Sequence, residues 1–103
     1  MISSNHIASI FSALAHPTRV DILKCLLPHA QLGLNFGQLA KAVSTPNSTL
    51  KHHLNEMQTA RIITTVRDGR ATVVALNLDE LSNVLATLNT LCCSAQTQGS
   101  STS

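Results

Sequence analysis

A mainly α-helical fold with one small β-hairpin is predicted for this chain by the spacing of its apolar residues, two helix-start motifs and a single Asp-Gly turn. The chain has 103 residues, which suits one domain. Hydrophobic residues make up 44% of it and charged residues only 12%, so the chain can fill a core but has few charges for its surface. We therefore expect part of the surface to be buried against a partner.

The first two helices are predicted from apolar spacing and from a proline. Isoleucine, phenylalanine and leucine recur at helical intervals over about residues 5–15. His16-Pro17 breaks this helix, and proline suits the first position of a second helix that continues to about Leu27. Pro28 and Gly33 mark its end.

Two later helices begin at matching capping motifs. Asn35 and Gln38 have the spacing of a capping box, which predicts a short helix over about residues 36–43. Asn77 and Glu80 repeat this spacing and predict the start of the last helix. The occurrence of the same capping motif at both places supports both predicted helix starts.

A further helix and the hairpin lie between these motifs. Residues 44–46, Ser-Thr-Pro, predict a cap with proline at the first helical position, opening a helix that ends near Ala60. Residues 62–67 and 70–76 are rich in Ile, Val and Thr and flank Asp68-Gly69. Because Asp-Gly is a preferred pair for a two-residue type I′ turn, these segments predict a β-hairpin.

The order of these elements is typical of a winged helix-turn-helix domain with about five helices and a two-stranded wing. We expect this domain over residues 1–93. Residues 94–103 contain only Ser, Thr, Gln, Ala and Gly and are predicted to form a disordered tail. No run of 18 apolar residues and no signal-peptide pattern occurs, so we expect a cytoplasmic protein with reduced cysteines and no membrane partner.

The fourth predicted helix separates into an apolar side and a polar side. At about 100° per residue, Leu50, Leu54 and Met57 share the apolar side. The polar side carries hydrogen-bonding and cationic groups suited to major-groove base edges and phosphates, and the residues near its N-terminus suit phosphate contact beside free amides. The predicted DNA-binding residues of this helix are Asn47, Ser48, Thr49, Lys51, His52 and Asn55.

The predicted hairpin carries two arginines at its tip. A two-residue turn at Asp68-Gly69 would place Arg67 opposite Arg70, and like charges that face each other across a strand pair are destabilising. An anionic partner would relieve this conflict. Five of the seven basic residues lie between positions 41 and 70, where only two acids occur. Arg67 and Arg70 therefore join the predicted site for double-stranded DNA.

Other function classes lack their characteristic residues. Two phenylalanines without Trp or Tyr exclude a base-stacking surface of the kind that binds single strands. No glycine-rich phosphate loop, HExxH motif or paired acidic cluster occurs, so we expect neither an enzyme nor a constitutive cofactor. A winged helix used only to bind other proteins remains as an alternative, although the basic residues of helix and wing argue against it.

Three segments resemble the signatures of the ArsR/SmtB family of effector-released repressors. They are residues 14–23 (LAHPTRVDIL), 48–54 (STLKHHL) and 67–70 (RDGR), in that order. The resemblance covers about residues 5–93. It implies a homodimer with the first and last helices at its interface, and release of DNA when an effector binds. The symmetry of such a dimer predicts an inverted-repeat operator. Arg61 departs from the pattern, since the family usually has glycine there.

The sequence of the last predicted helix suits a dimer interface independently of the family resemblance. No charged residue occurs between Leu81 and Cys93. Its apolar stripe consists of Leu81, Leu85, Leu88 and Cys92, flanked by Val84 and Leu91. Part of this stripe would also suit the core of its own domain.

The cysteines supply the predicted effector site. The family's Cys-x-Cys pair on the third helix corresponds here to Asn35 and Gly37, and the last helix lacks the histidines of a zinc site. Cys92-Cys93 remains, and the resemblance suggests an arsenic-responsive subgroup with such a vicinal pair. Thiolates are soft donors suited to As(III) and Sb(III). Two of them satisfy methylarsenite, whereas arsenite prefers a third thiolate, for which Cys25 is the candidate.

Alternative interpretations of the cysteines stay open from the sequence. Cys92 continues the leucine stripe and would also suit the core, and Cys25 lies at the edge of an apolar arc and would suit a packed thiol. A thiol redox or persulfide-sensing repressor of the same fold is the rival function. Its relatives pair a second-helix cysteine with one on the last helix, but their first cysteine corresponds to Lys24, one residue before Cys25.

Overall fold

The computed structural model describes residues 3–99, which form five α-helices and a three-stranded antiparallel sheet. The predicted mainly α fold with a wing is confirmed. The helices are α1 (Ser4–Ala13), α2 (Pro17–Leu26), α3 (Phe36–Val43), α4 (Asn47–Thr59) and α5 (Leu78–Gly99). The strands are β1 (Leu34–Asn35), β2 (Ile63–Asp68) and β3 (Ala71–Leu76), arranged in the order β1-β3-β2. None of the helices within these residues is long and apolar enough to span a membrane.

One hydrophobic core holds the helices against the sheet. Ile22 and Leu26 of α2, Leu39 of α3, and Leu50 and Met57 of α4 are completely buried in it. Full burial of a large aliphatic side chain contributes roughly 1.5–3 kcal/mol, so these contacts fix α4 firmly on α2 and α3. The buried side of α4 is the one that its apolar spacing predicted.

The start of α3 is the predicted capping box. The Asn35 side chain accepts a hydrogen bond from the Gln38 backbone N–H at 2.8 Å, and the Gln38 side chain accepts one from the Asn35 N–H at 3.0 Å. Two amides that lack partners inside the helix are thereby satisfied. The predicted bounds of α3 are confirmed.

A short third strand, β1, was not predicted. Leu34 and Asn35 pair with Val74 and Val73 of β3. Gly33 directly precedes this strand with φ +75°, and a Cβ atom there would lie only 2.5 Å from the Val74 carbonyl oxygen. Position 33 therefore requires glycine on account of both its backbone conformation and the approach of β3.

The predicted start of α4 is wrong by one residue. Pro46 was expected at the first helical position, but its extended backbone, with ψ 147°, places it at the N-cap. The Leu50 N–H donates to the Pro46 carbonyl at 2.8 Å, so Pro46 still supplies the first acceptor of the helix. Ser44 ends α3 in the left-handed conformation, and the Thr45 hydroxyl donates to the Val43 carbonyl.

The end of α4 has the geometry of a Schellman motif despite the arginine at position 61. The Ile62 N–H donates to the Met57 carbonyl at 3.0 Å, and the Arg61 N–H donates to the Gln58 carbonyl at 2.9 Å. Arg61 has φ +65°, the left-handed conformation that glycine adopts easily. The departure from glycine therefore leaves the helix end intact but places a β-carbon in a strained position.

The wing turn is shifted by one residue from the prediction. Asp68 pairs with Ala71 and Arg67 pairs with Thr72, so the two turn residues are Gly69 and Arg70. Gly69 has φ +64° and Arg70 does not have a positive φ, a pattern of type II′ and not of the predicted type I′ turn. The expected Arg67–Arg70 cross-strand pair is wrong, because the strands gain one further pair before the turn.

Helix α5 continues beyond the predicted domain boundary. Its backbone is helical to Gly99, whereas the domain was expected to end at residue 93. The residues that follow Cys93 include Ala95 and two glutamines, which have high helix propensity and favour continuation of the helix. Residues 100–103 of the predicted tail lie outside the described residues.

Candidate nucleic-acid interface

The polar side of α4 is presented to solvent as predicted. Leu50, Leu54 and Met57 are buried beneath it. Its six predicted DNA-binding residues are all exposed: Asn47, Ser48, Thr49, Lys51, His52 and Asn55. Because Pro46 makes no side-chain capping bond, it leaves amides of the first turn for an external acceptor. The helix thus offers side-chain and backbone donors together.

A groove separates α4 from the wing. It encloses about 480 Å³ and brings Lys51 and Asn55 of α4 beside Thr65 and Thr72 of the sheet. The Thr65 hydroxyl donates to the Gln58 side-chain oxygen at 2.8 Å, which ties β2 to the helix. Helix α4 and the hairpin therefore form one surface, which this hydrogen bond helps to hold together.

The sheet contributes residues to this surface that the sequence analysis did not identify. Gln58, Thr65 and Thr72 line the groove together with the predicted residues. Thr65 is two residues from Arg67, and Thr72 is the cross-strand partner of Arg67. All three side chains therefore lie on one face of the hairpin. The alternation of side chains along a strand indicates that Thr65 and Arg67 share a face. Thr72 was not identified with them, because the incorrectly predicted turn paired Arg67 with Arg70.

The wing arginines are exposed and form no ion pair with a carboxylate in the described part of the chain. Arg67 lies on the groove face of β2, and Arg70 lies in the turn. Within residues 3–99, no carboxylate lies at ion-pair distance from Lys51, Arg67 or Arg70. Their charges are therefore available to an anion, as the predicted DNA contact requires.

A buried arginine connects α4 to α1 and α2. Arg19 of α2 is only 6% exposed. Its Nε donates to His53 Nδ1 at 3.0 Å, and its Nη1 donates to the Ala13 carbonyl at 3.3 Å. The His53 ring centroid lies 6.0 Å from that of His16 and 5.9 Å from that of His52. This contact of residues 34 positions apart was not predicted.

The surroundings of His53 oppose its protonation. Burial of the imidazole lowers the pKa of His53 below its usual range, and the positive charge of Arg19 lowers this pKa further. His16 and His52 act in the same direction. His53 therefore favours the neutral form that can accept the hydrogen bond from Arg19.

The three cysteines lie in two different environments. Cys92 and Cys93 are exposed on α5, and the Cys93 sulfur lies 4.0 Å from Asn89 Oδ1. The alternative that buries Cys92 in its own domain is therefore wrong. Cys25 is partly buried against the core, as expected of a packed thiol. Among residues 3–99 of one chain, no three His, Cys, Asp or Glu side chains form a metal-binding group, so Cys25 does not complete a three-ligand site there.

The apolar stripe of α5 is divided between the core and solvent. Val84 is buried, and Leu81 and Leu88 pack partly against the core. Leu85 is 66% exposed and Leu91 is 55% exposed. The predicted stripe therefore does not form one free face, because Leu81 and Leu88 already contact their own domain.

Comparisons with known proteins agree with this architecture. The HTH-type transcriptional regulator YgaV of Escherichia coli K12 is 26% identical over 91 residues, covering 88% of this chain and 90% of YgaV. A crystal structure of an ArsR family transcriptional regulator superposes with a TM-score of 0.79 at 22% identity, covering 95% of this chain and 98% of that one. An ArsR-like transcriptional regulator from Rhodococcus sp. RHA1 superposes with a TM-score of 0.71 at 25% identity, covering 94% of this chain and 96% of that one.

A further solved structure is the homodimeric winged helix-turn-helix DNA-binding domain Mb0332 of Mycobacterium bovis. It superposes with a TM-score of 0.68 at 17% identity, covering 96% of this chain and 89% of that one. The family model for a helix-turn-helix domain matches residues 14–66, slightly more than half of the sequence. The chain therefore belongs to the helix-turn-helix domain family, with the winged fold of ArsR family regulators.

Proposed function

We propose that this protein is a transcriptional repressor that binds double-stranded operator DNA as a homodimer. The observation that carries the proposal is the continuous polar and cationic surface of α4 and the wing, with Arg67 on the groove face of the hairpin. In this arrangement α4 enters the major groove, where its side chains contact base edges and phosphates. The wing arginines bind the adjacent backbone.

The exposed leucines of α5 support the dimer. Leu85 and Leu91 are largely exposed among the described residues of their own chain, and Phe11 of α1 is also exposed. A second copy would remove these apolar surfaces from water. The homodimeric state given for the Mycobacterium bovis domain is consistent with this proposal. A twofold dimer would bind an inverted repeat with half-site centres about 34 Å apart.

Selection from random DNA duplexes with the reduced protein tests the proposal. We expect enrichment of an inverted repeat, and an affinity for it that falls steeply with salt. Lys51→Ala should weaken binding, whereas Lys24→Ala, which removes an exposed lysine from α2, serves as the matched control. Failure to enrich any sequence, or equal affinities of the two variants, would contradict the assignment of α4.

We further propose that a trivalent arsenical binds Cys92 and Cys93 and releases the operator. Two exposed adjacent thiols offer soft donors on the helix assigned to the dimer. Successive side chains on a helix diverge by about 100°, so chelation by both sulfurs requires α5 to bend or unwind locally. Methylarsenite is favoured over arsenite, because within the described part of one chain no third ligand joins the pair.

Titration of the protein–operator complex with methylarsenite and arsenite tests the effector. Cys93→Ser should abolish release by methylarsenite while DNA affinity stays unchanged, and Cys25→Ser is the matched control that should release normally. The coupling is expected to be about 1–3 kcal/mol, the usual range between two binding sites. Normal release from a variant that lacks both Cys92 and Cys93 would contradict the site.

A parallel titration with an oxidant and a persulfide donor tests the rival function. A redox sensor would form a disulfide or polysulfide that includes Cys25, visible by mass spectrometry. Release that depends on Cys25 and is insensitive to arsenicals would favour the redox function over the vicinal-pair proposal.

A further inference from the structure

Arg19 is a buried cation whose hydrogen-bond acceptors, an imidazole and a backbone carbonyl, are uncharged. Arg19 lies between α1 and α4 and is only 6% exposed. Among the described residues, no carboxylate pairs with it. His53 and the Ala13 carbonyl accept its hydrogen bonds. A buried guanidinium that loses an acceptor keeps its charge but cannot recover the solvation, so the loss is costly. Arg19 therefore holds the His53 ring of α4 in place.

This hold depends on the protonation state of His53. Nδ1 accepts from Arg19 only while it carries a lone pair, so the ring must be neutral with its proton on Nε2. A protonated His53 has two donors and no acceptor. The groups that face the ring are Arg19 of α2, His16 just before α2, and His52 on α4 itself. None of these groups is an anion, and Glu56 of α4, which lines a small cavity together with Arg19, forms no ion pair with it among the described residues.

We propose that Arg19 is a positioning residue for the DNA-binding helix, acting through neutral His53, and that protonation of His53 releases this hold and weakens operator binding. The inference rests on the proposed DNA-binding function. His53 follows His52 directly, and their rings are in contact. A displaced His53 ring therefore disturbs His52, which belongs to the predicted DNA-binding residues, as well as the contact of α4 with α2.

The expected pH dependence has a definite sign. Burial and the neighbouring cations keep the pKa of His53 below its usual value of 6.5, so the neutral state predominates near pH 7. If the operator-bound form requires neutral His53, affinity falls as the solution becomes more acidic than this lowered pKa. The wild type is compared with a variant that changes only position 53, so that every other titratable group contributes equally to both pH profiles.

His53→Asn is that variant, because the asparagine oxygen can accept from Arg19 in place of Nδ1 but does not titrate. We expect both proteins to bind a selected operator equally at pH 8. Below the pKa of His53, wild-type affinity should fall relative to the variant by up to about tenfold per pH unit for each His53 that must lose its proton, and the proposed homodimer has two. His29→Asn, which changes an exposed histidine outside the DNA-binding surface, is the matched control and should retain this acid-sensitive loss. Identical pH profiles of wild type and His53→Asn would overturn the proposal.

An NMR titration of the His53 imidazole in the DNA-free protein separates this inference from the proposed function. We expect the Nε2–H tautomer, and Arg19→Lys should raise the pKa of His53 by removing the Nε–H donor that favours the neutral ring. Lysine keeps the positive charge, which limits damage to the fold. An unchanged pKa and tautomer in Arg19→Lys would overturn the positioning role. Absence of DNA binding at every pH, with the expected NMR result, would instead refute the proposed function.

Discussion

The imidazole Nε2 of His6 lies 2.7 Å from the carboxylate of Glu80, which joins the first turn of α1 to the first turn of α5. The two residues are 74 positions apart, and both side chains are about three-quarters buried. These are the two helices that the family resemblance assigns to the dimer interface. Their relative position within one chain therefore depends in part on a single polar contact.

Removal of this contact should destabilise the fold modestly. His6→Ala is expected to lower the free energy of unfolding by about 1 kcal/mol. A partly buried hydrogen bond to a carboxylate stabilises a fold more than an exposed ion pair does, but nearby solvent weakens it. Urea unfolding at one fixed protein concentration measures the change. His29→Ala, which removes an exposed histidine, is the control and should change little. Equal effects of the two substitutions would contradict a stabilising role for the contact.

Leu85 provides a clean test of the dimer. Because Leu85 is 66% exposed in the single chain, Leu85→Lys should leave the domain folded while placing a charge in the proposed interface. We expect monomers in analytical ultracentrifugation. Leu32→Lys makes the same change at a residue that is 87% exposed outside α5, and it should remain dimeric. Leu88→Lys is a poorer test, since Leu88 also packs on its own core.

The wing arginines should contribute affinity without sequence preference. Arg67→Ala and Arg70→Ala are each expected to weaken binding to selected and random duplexes alike, because phosphate contacts carry no sequence information. Each lost phosphate contact should reduce the slope of log affinity against log salt concentration by about 0.9. Fluorescence anisotropy at several salt concentrations measures this slope. A slope unchanged in both variants would mean that the wing does not contact the backbone.

Glycine at position 61 should stabilise the protein. A β-carbon in the left-handed conformation costs about 1–2 kcal/mol, whereas glycine loses about 0.4–1 kcal/mol through the greater freedom of the unfolded chain. Arg61→Gly is therefore expected to raise the free energy of unfolding by about 0 to 1.6 kcal/mol, with roughly 0.8 kcal/mol at the midpoints of the two ranges. Arg61→Ala retains the β-carbon and should give no gain. A loss of stability in Arg61→Gly would show that the arginine side chain itself stabilises the fold.

Local patterns predicted the helices and the exposed side of α4 well. The spacing of Leu50, Leu54 and Met57 depends only on the helical period, and the Asn35–Gln38 box depends on neighbouring residues. Such features are decided within one or two turns of chain. The structure accordingly agrees with the predictions for α3 and for the polar side of α4.

Features that depend on distant neighbours were not predicted. Asp68-Gly69 and Gly69-Arg70 both suit a two-residue turn, and the pairing of β2 with β3 decides between them. The hydrogen bond from Arg19 to His53 joins positions 34 residues apart, which no periodicity indicates. Likewise, the helical period groups Leu85 with Leu88 but does not specify that only Leu88 reaches the core.

The length of α5 places Cys92 far from the first turn of the helix, which itself continues to Gly99. Cys92 follows Leu78, the first residue of the helix, by 14 positions, a distance of about 21 Å along the axis at 1.5 Å per residue. A rigid helix that tilts by about 5° at Leu78 therefore carries the thiol through about 2 Å. The reverse also holds, because holding the thiol end fixed limits rotation at the helix start, where Glu80 contacts His6. The rigidity of α5, together with the packing of Val84 and Leu88 on the core, thus links the cysteine pair to the rest of the domain.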